Sequence, residues 1–504
     1  MMDTFQKNYW SMYLDFIRDF EGIIYRGYSL PYFCHLPSYI LPNTAIMQAL
    51  KKTEYSNNLT SHVGTQKEFQ QVFNQFVQSH TIQRSQKPKG KVVIHLDKLL
   101  RFPAAMMNQL DQKRTILLSN GKLTGQQTTV SNRVKRARKH ATAVPIANTI
   151  TVNQTKVKNN HPVNYKMANK MVTLSLENYG RDIGKDISLV QKQAKKLLDK
   201  YRDHHLYSHN AFRKWLLNNI KVVMLQIDAT QKFLKHIAVS CVVVSTTHSY
   251  VNRILAVVAA SKGIPSICMQ HGIIASELGY LPKIATVDAV YGKYERDWFL
   301  NNGAPKGSVE VIGHPRFDQI SQKSKVNRTI FQRKLGLNPK RKTVMIAVRG
   351  REDVEQWRRL ILTLSKKIPL NIVIKNYPSR SPHELTKVFP HVHSTQNYHL
   401  YDIFANVDAV ISYPSTVGLE AMISNKPVFI LDKNVNGNTA YYQKLDHLMK
   451  KNTKELANQV INYFTKPSAK KLGDAKRQAF LQQAYMTEKR SMDRLIVLIN
   501  RLTK

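Results

Sequence analysis

From Val239 onward, short β-branched runs alternate with amphipathic segments, and this alternation constrains the fold more than any other feature of the chain. Val242, Val243 and Val244 read as a strand buried on both faces. Val251, Ile254, Leu255 and Val258 repeat at i, i+3, i+4 and i+7, the face of a helix, and residues 264–269 return to strand. Strand, helix and strand recur at 287–290, 297–302 and 309–312, followed by a polar break at 321–327. A second series then gives strands at 343–348, 371–374, 409–411 and 428–431, with helices at 352–365, 398–406 and 415–424 between them. Such alternation builds parallel, doubly wound sheets whose ligands lie beyond the carboxyl ends of the strands. The expected fold is therefore α/β, with two Rossmann-like domains facing a cleft and a helical N-terminal extension.

With 504 residues the chain is long for a single core, which favours two or three domains. The pattern divides it into a mostly helical region at 1–90, a first Rossmann-like domain at 91–325, and a second at 326–504 that includes the C-terminal helices. In the first region the aromatic residues Tyr9, Trp10, Tyr13, Phe16 and Phe20 read as helix core. Strands at 92–96 and 115–118 open the first domain, and helices at 187–201 and 210–236 precede Val239. Near 131–160 lies a basic insertion with Arg133, Lys135, Arg136, Arg138 and Lys139, read either as a solvated linker or as a contact to anionic lipid or acceptor.

Lys and Arg number 76 against 33 Asp and Glu, a formal charge of +43 that points to an acidic partner: nucleic acid, an anionic membrane surface or an acidic polymer. No nucleic-acid module accompanies the charge, so no specific nucleic acid is expected. Cys34, Cys241 and Cys268 stand far apart with no CxxC spacing, which supports neither a disulfide framework nor a zinc ribbon and fits a reducing cytosol. The sequence shows no signal-peptide pattern and no apolar run approaching the ~18 residues a membrane span requires.

Chemistry is sought where strands end. The segment Ser412-Tyr413-Pro414-Ser415-Thr416-Val417-Gly418-Leu419-Glu420 closes a strand and opens a helix. Ser415 or Thr416 can cap that helix, whose free amides and positive dipole end suit a phosphate. Gly418 removes a side chain on the first turn and would permit close approach, and Glu420 can accept from ribose hydroxyls; the plain alternative is a capped helix with a surface Glu. His271, in Gln270-His271-Gly272, is placed to act as a general base or to donate to a phosphate oxygen, against the alternative of a structural histidine. In Gly313-His314-Pro315-Arg316-Phe317-Asp318, Arg316 can pair with a diphosphate or, equally, with a carboxylate. Lys375, Arg349, His248 and His314 complete the set of possible contacts. No Walker A loop, GxGxxG at a strand end, HExxH or paired acidic metal motif is present, so neither metal nor cofactor is expected.

In these residues the sequence resembles the GT-B transferases that build bacterial surface polymers, CDP-glycerol glycerophosphotransferases of teichoic-acid synthesis and capsule polysaccharide transferases among them. The resemblance spans about 239–432. It implies an acceptor-side first domain and a nucleotide-binding second domain, with His271 as base and Arg316, Lys375, Ser415, Thr416, Gly418 and Glu420 toward the donor. Gln270 stands where relatives have Trp, and Lys375-Asn376-Tyr377-Pro378 lacks the histidine of their Lys-x-His-Pro segment, which favours a sugar over glycerol phosphate. The implied activity is transfer of that group from a nucleotide-activated donor to a lipid-linked or polymeric acceptor, by a cytoplasmic protein peripheral at the inner face of the cell membrane. A nucleotide-sugar epimerase or hydrolase of the same fold and a nucleic-acid-binding protein remain the alternatives.

Overall fold

The computed structural model describes residues 2–121, 171–322, 324, 326–377, 379, 381–433 and 436–504. The basic insertion near 131–160 and Pro378 lie outside the described residues.

A small ribbon, β1 (Ile24–Tyr25) with β2 (Tyr28–Ser29), belongs to the N-terminal region. The first parallel sheet contains β3 (Lys91–His95), β4 (Thr115–Ser119), β5 (Val172–Ser175), β6 (Val239–Val244), β7 (Ser266–Met269), β8 (Val287–Val290) and β9 (Val309–Val311), in the order β5-β4-β3-β6-β7-β8-β9. The second contains β10 (Lys342–Arg349), β11 (Leu370–Tyr377), β12 (Val392–Ser394), β13 (Ala409–Ser412), β14 (Val428–Leu431) and β15 (Met449–Lys450), in the order β12-β11-β10-β13-β14-β15. Every described pairing within these two sheets is parallel. Strand order reverses between β3 and β6 and again between β10 and β13, so each sheet has one topological switch point at which a ligand crevice opens. This is the pair of Rossmann-like layers expected from the sequence.

The alternating strand faces explain the apolar runs. In β6, Val242 and Val244 enter one core while Cys241 and Val243 enter another; in β3, Val93 faces the first and Val92 and Ile94 the second. The first core also takes in Tyr9, Trp10, Tyr13, Phe16 and Phe20 of the helix Thr4–Phe20, so the N-terminal region is built onto the first sheet. Asp3 starts that helix by accepting from Gln6 N at 2.7 Å. The opposite face of the sheet is covered by Met492, Leu495, Leu498 and Ile499 of the last helix, Ser491–Thr503, which crosses back from the second half of the chain. Asp318 fixes this crossing: its two carboxylate oxygens accept from Ser491 N and Met492 N, both at 2.9 Å. A third core lies around the second sheet.

Candidate active site

The first sheet brings three loops together at its carboxyl edge. The turn after β3 carries Asp97, whose Oδ1 accepts from Leu99 N (2.7 Å) and Leu100 N (3.0 Å) while Oδ2 accepts from Ser245 Oγ and from Asn252 Nδ2 (3.1 Å). Asp97 thus ties the end of β3 to the end of β6 across the switch point. Arg101 follows with a left-handed backbone (φ 50), exposed between the buried Leu100 and Phe102, and the Phe102 ring packs edge-on against His314 at 5.7 Å. A non-glycine residue at positive φ is uncommon, and here the Arg101 charge lies near enough to the His271 ring to act on it. Sequence reading passed over Arg101 because a lone basic residue in a loop carries no motif; only the left-handed backbone distinguishes it.

His271 sits just beyond β7, its ring stacked on Tyr280 with centroids 5.0 Å apart. Burial and then the Arg101 charge lower its pKa, which the Asp97 carboxylate opposes, and the net value is about 4. Its imidazole is therefore neutral at pH 7 and able to accept a proton. Gln270 brackets the turn: its Nε2 donates to Gly272 O at 2.7 Å and its Oε1 accepts from Tyr291 N at 2.9 Å. At Gly272 a Cβ would lie 3.3 Å from both Thr416 Oγ1 and the Tyr280 hydroxyl, a tight approach to which these side chains would have to yield. Around His271 a small pocket is lined by Thr246, Thr247, His248, Gln270 and Tyr280 among others.

The second sheet answers from across the crevice. The helix Thr416–Ile423 begins beyond β13 with Ser415 at its N-cap position. Ser415 Oγ makes no capping bond and is a buried hydroxyl without a partner, at the positive end of the helix. Thr416 Oγ1 instead accepts from Ile273 N at 3.2 Å, a contact that joins the two domains within two residues of His271. Beside the Ser415 turn, a pocket of about 230 Å³ is lined by Pro414, Asp432, Asn438, Tyr441, Tyr442 and Gln443 among others.

Several expected contacts are placed differently. Gly418 does not open space for a ligand: a Cβ there would meet the Tyr442 hydroxyl at 2.9 Å and Ser412 Oγ at 3.3 Å, so the glycine admits neighbouring protein. Lys375 lies inside β11 rather than after it, and its Nζ donates to the carbonyls of Thr395 (3.2 Å), Gln396 (3.1 Å) and Tyr398 (2.8 Å). An ammonium has three N–H donors, so none remains for a phosphate. Arg316 Nη2 pairs with Glu420 Oε1 at 2.9 Å, and Glu420 Oε2 accepts from the Tyr401 hydroxyl at 2.7 Å. Of the two readings open for Arg316 the carboxylate is the one formed, and Glu420 is a buried ion-pair partner instead of a surface residue or a free ribose acceptor. Arg316 Nε, also buried, keeps no partner. His314 is enclosed by Phe102, Tyr291 and Phe317, its Nδ1 accepting from Arg316 N at 3.1 Å. Arg349 stays exposed at the end of β10, 3.7 Å from Glu352. His248 lines the His271 pocket. Among the described residues no group of three or more His, Cys, Asp or Glu side chains is arranged to hold a metal, and no helix is long and apolar enough to cross a membrane.

No known family profile matches the sequence, and no curated protein matches it. Among solved structures, the chain is similar to a putative UDP-N-acetylglucosamine 2-epimerase from Listeria monocytogenes, at 9% identity and TM-score 0.49 over 82% of this chain and 96% of that one. It is similar to a glycosyltransferase from Rickettsia africae at 10% identity and TM-score 0.45, over 82% and 99% of the two chains. A third is the Anabaena protein HepE, solved with UDP and glucose, at 11% identity and TM-score 0.42 over 82% and 98%. What places this chain in the two-domain α/β class is its own strand order.

Proposed function

We propose that this chain is a GT-B-type transferase that moves a sugar, or glycerol phosphate, from a nucleotide-activated donor to a lipid-linked or polymeric acceptor of cell-envelope synthesis. The observation that carries the reading is the unpartnered Ser415 hydroxyl at the start of the helix Thr416–Ile423, facing the His271 loop through the Thr416–Ile273 contact. A helix N-terminus with a spare hydroxyl suits a diphosphate, the adjoining pocket offers room for a nucleoside, and a neutral imidazole nearby suits deprotonation of an acceptor hydroxyl.

Replacing Ser415 by alanine removes no bond from the folded protein, so thermal stability should hold. A hydrogen bond to a charged phosphate is worth ~1.5–3 kcal/mol, so affinity for the nucleoside diphosphate should fall roughly 10- to 100-fold. Calorimetric titration with CDP, UDP and GDP checks this; unchanged affinity in Ser415→Ala would remove the donor assignment.

The same reading places the protein in the cytoplasm at the inner membrane face, where its +43 charge meets anionic lipid. Co-sedimentation with phosphatidylglycerol vesicles should be strong at low salt and fade as salt rises, each Lys or Arg near the surface adding about 1 kcal/mol. Equal binding to neutral phosphatidylcholine vesicles would count against it.

A further inference from the structure

Behind His248, which lines the pocket around His271, lies a buried cluster of basic side chains that the donor side does not explain. Arg253, on the helix Tyr250–Ala260, is 1% exposed, yet among the described residues it forms no ion pair. Its guanidinium donates to Thr247 O (3.0 Å), the Tyr13 hydroxyl (3.2 Å) and Tyr32 O (2.8 Å), and Nη2 is left with no partner. Burying a cation without a counter-anion is costly. Both ring nitrogens of His248 are also buried without a partner, as is Nε2 of His35, whose ring meets that of His248 edge-on at 5.9 Å. A neutral imidazole always carries one N–H, and that of His248 has only a weak interaction with the Tyr280 backbone. Burial and the Arg253 charge lower the pKa of both rings, that of His35 to about 3.

These groups come from two regions of the chain. His248 lies in the loop after β6, whereas His35, Tyr13 and Tyr32 belong to the N-terminal region. That region is anchored to the loop after His271: Trp10 Nε1 and Gln66 Nε2 donate to the Glu277 carboxylate at 2.6 and 2.8 Å, and Gln70 Nε2 donates to Lys283 O at 2.9 Å. The N-terminal region is thus packed against the segment that carries the pocket, and behind His248 it brings His35 beside an arginine without a counter-anion.

We propose that His248, backed by His35 and Arg253, makes this side of the pocket an oxyanion site that receives a phosphoryl or carboxylate group. That the group belongs to the acceptor rests on the transferase reading; that the site binds an oxyanion does not.

The test is calorimetric titration of the full-length protein with inorganic phosphate and, separately, with acetate, comparing wild type with His248→Gln, His35→Gln and Ser415→Ala. Saturable binding that weakens tenfold or more in both histidine variants, and persists in Ser415→Ala, is the expected result. Phosphate as the preferred anion assigns a phosphoryl group and acetate a carboxylate. If neither anion binds, or if binding is insensitive to both histidine changes, the proposal is overturned. Glutamine keeps one donor and little charge change, and far-ultraviolet circular dichroism shows whether each variant folds. Should oxyanion binding follow the prediction while no nucleotide-linked donor is consumed, the site stands and the transferase reading fails.

Discussion

Replacing His271 by alanine is expected to lower turnover by roughly two to four orders of magnitude while leaving donor affinity nearly intact. The acceptor hydroxyl is a poor nucleophile until its proton has somewhere to go, and His271 is neutral and stacked in place on Tyr280 to receive it. Steady-state rates and calorimetry on the one variant separate the roles. A loss of donor affinity instead would make His271 a phosphate ligand, and wild-type values for both would return it to packing against Tyr280. The pH profile adds a check on the cause. With its pKa held near 4, the acid limb of activity in the free enzyme should lie well below the 6.5 of an ordinary imidazole. Because the Arg101 charge lowers that pKa, Arg101→Ala should move the limb upward, toward 6.5.

The second large effect is structural and concerns Arg316 and Glu420. Their side chains are 13% and 6% exposed, so removing one partner leaves the other charge buried. Arg316→Ala should cost about 3–5 kcal/mol of stability, read from urea or thermal unfolding. Arg316→Met combined with Glu420→Gln should recover much of that loss, because replacing both members of a buried pair by neutral groups is often close to neutral. A fully stable Arg316→Ala protein would show that the pair does not hold the chain together where it passes from one sheet to the other.

The parts of the fold that could be read from the sequence are those whose burial is two-sided. Val242–Val244, Thr343–Val348 and Ala409–Ile411 are apolar runs because both strand faces meet a core, and the helix Asn210–His236 carries a long apolar stripe. β5, β12 and β15 gave no such signal, being short strands in which exposed or half-buried residues prevail. The strand-end rule put His271 beyond β7 and Ser415 beyond β13, where the structure has them, and it misplaced Lys375. Polar Lys375 and Asn376 looked like a strand terminus, yet β11 runs on to Tyr377 because neighbouring carbonyls satisfy the lysine. Gly418 and Glu420 lie where expected, but their partners, Tyr442, Arg316 and Tyr401, are distant in sequence, and no local pattern announces a contact made by tertiary packing. The same limit hid the role of the N-terminal region, whose aromatic residues read as helix core without showing what that core is built against.

The most direct test of the central claim is incubation of the full-length protein with radiolabelled CDP-, UDP-, GDP- and CMP-linked donors in the presence of a cell-envelope fraction, following label into lipid-linked or polymeric product. Label should be transferred from one donor class, and the transfer should be lost in His271→Ala and weakened in Ser415→Ala. Consumption of a donor by epimerisation or hydrolysis alone, or no consumption of any donor, would contradict the account.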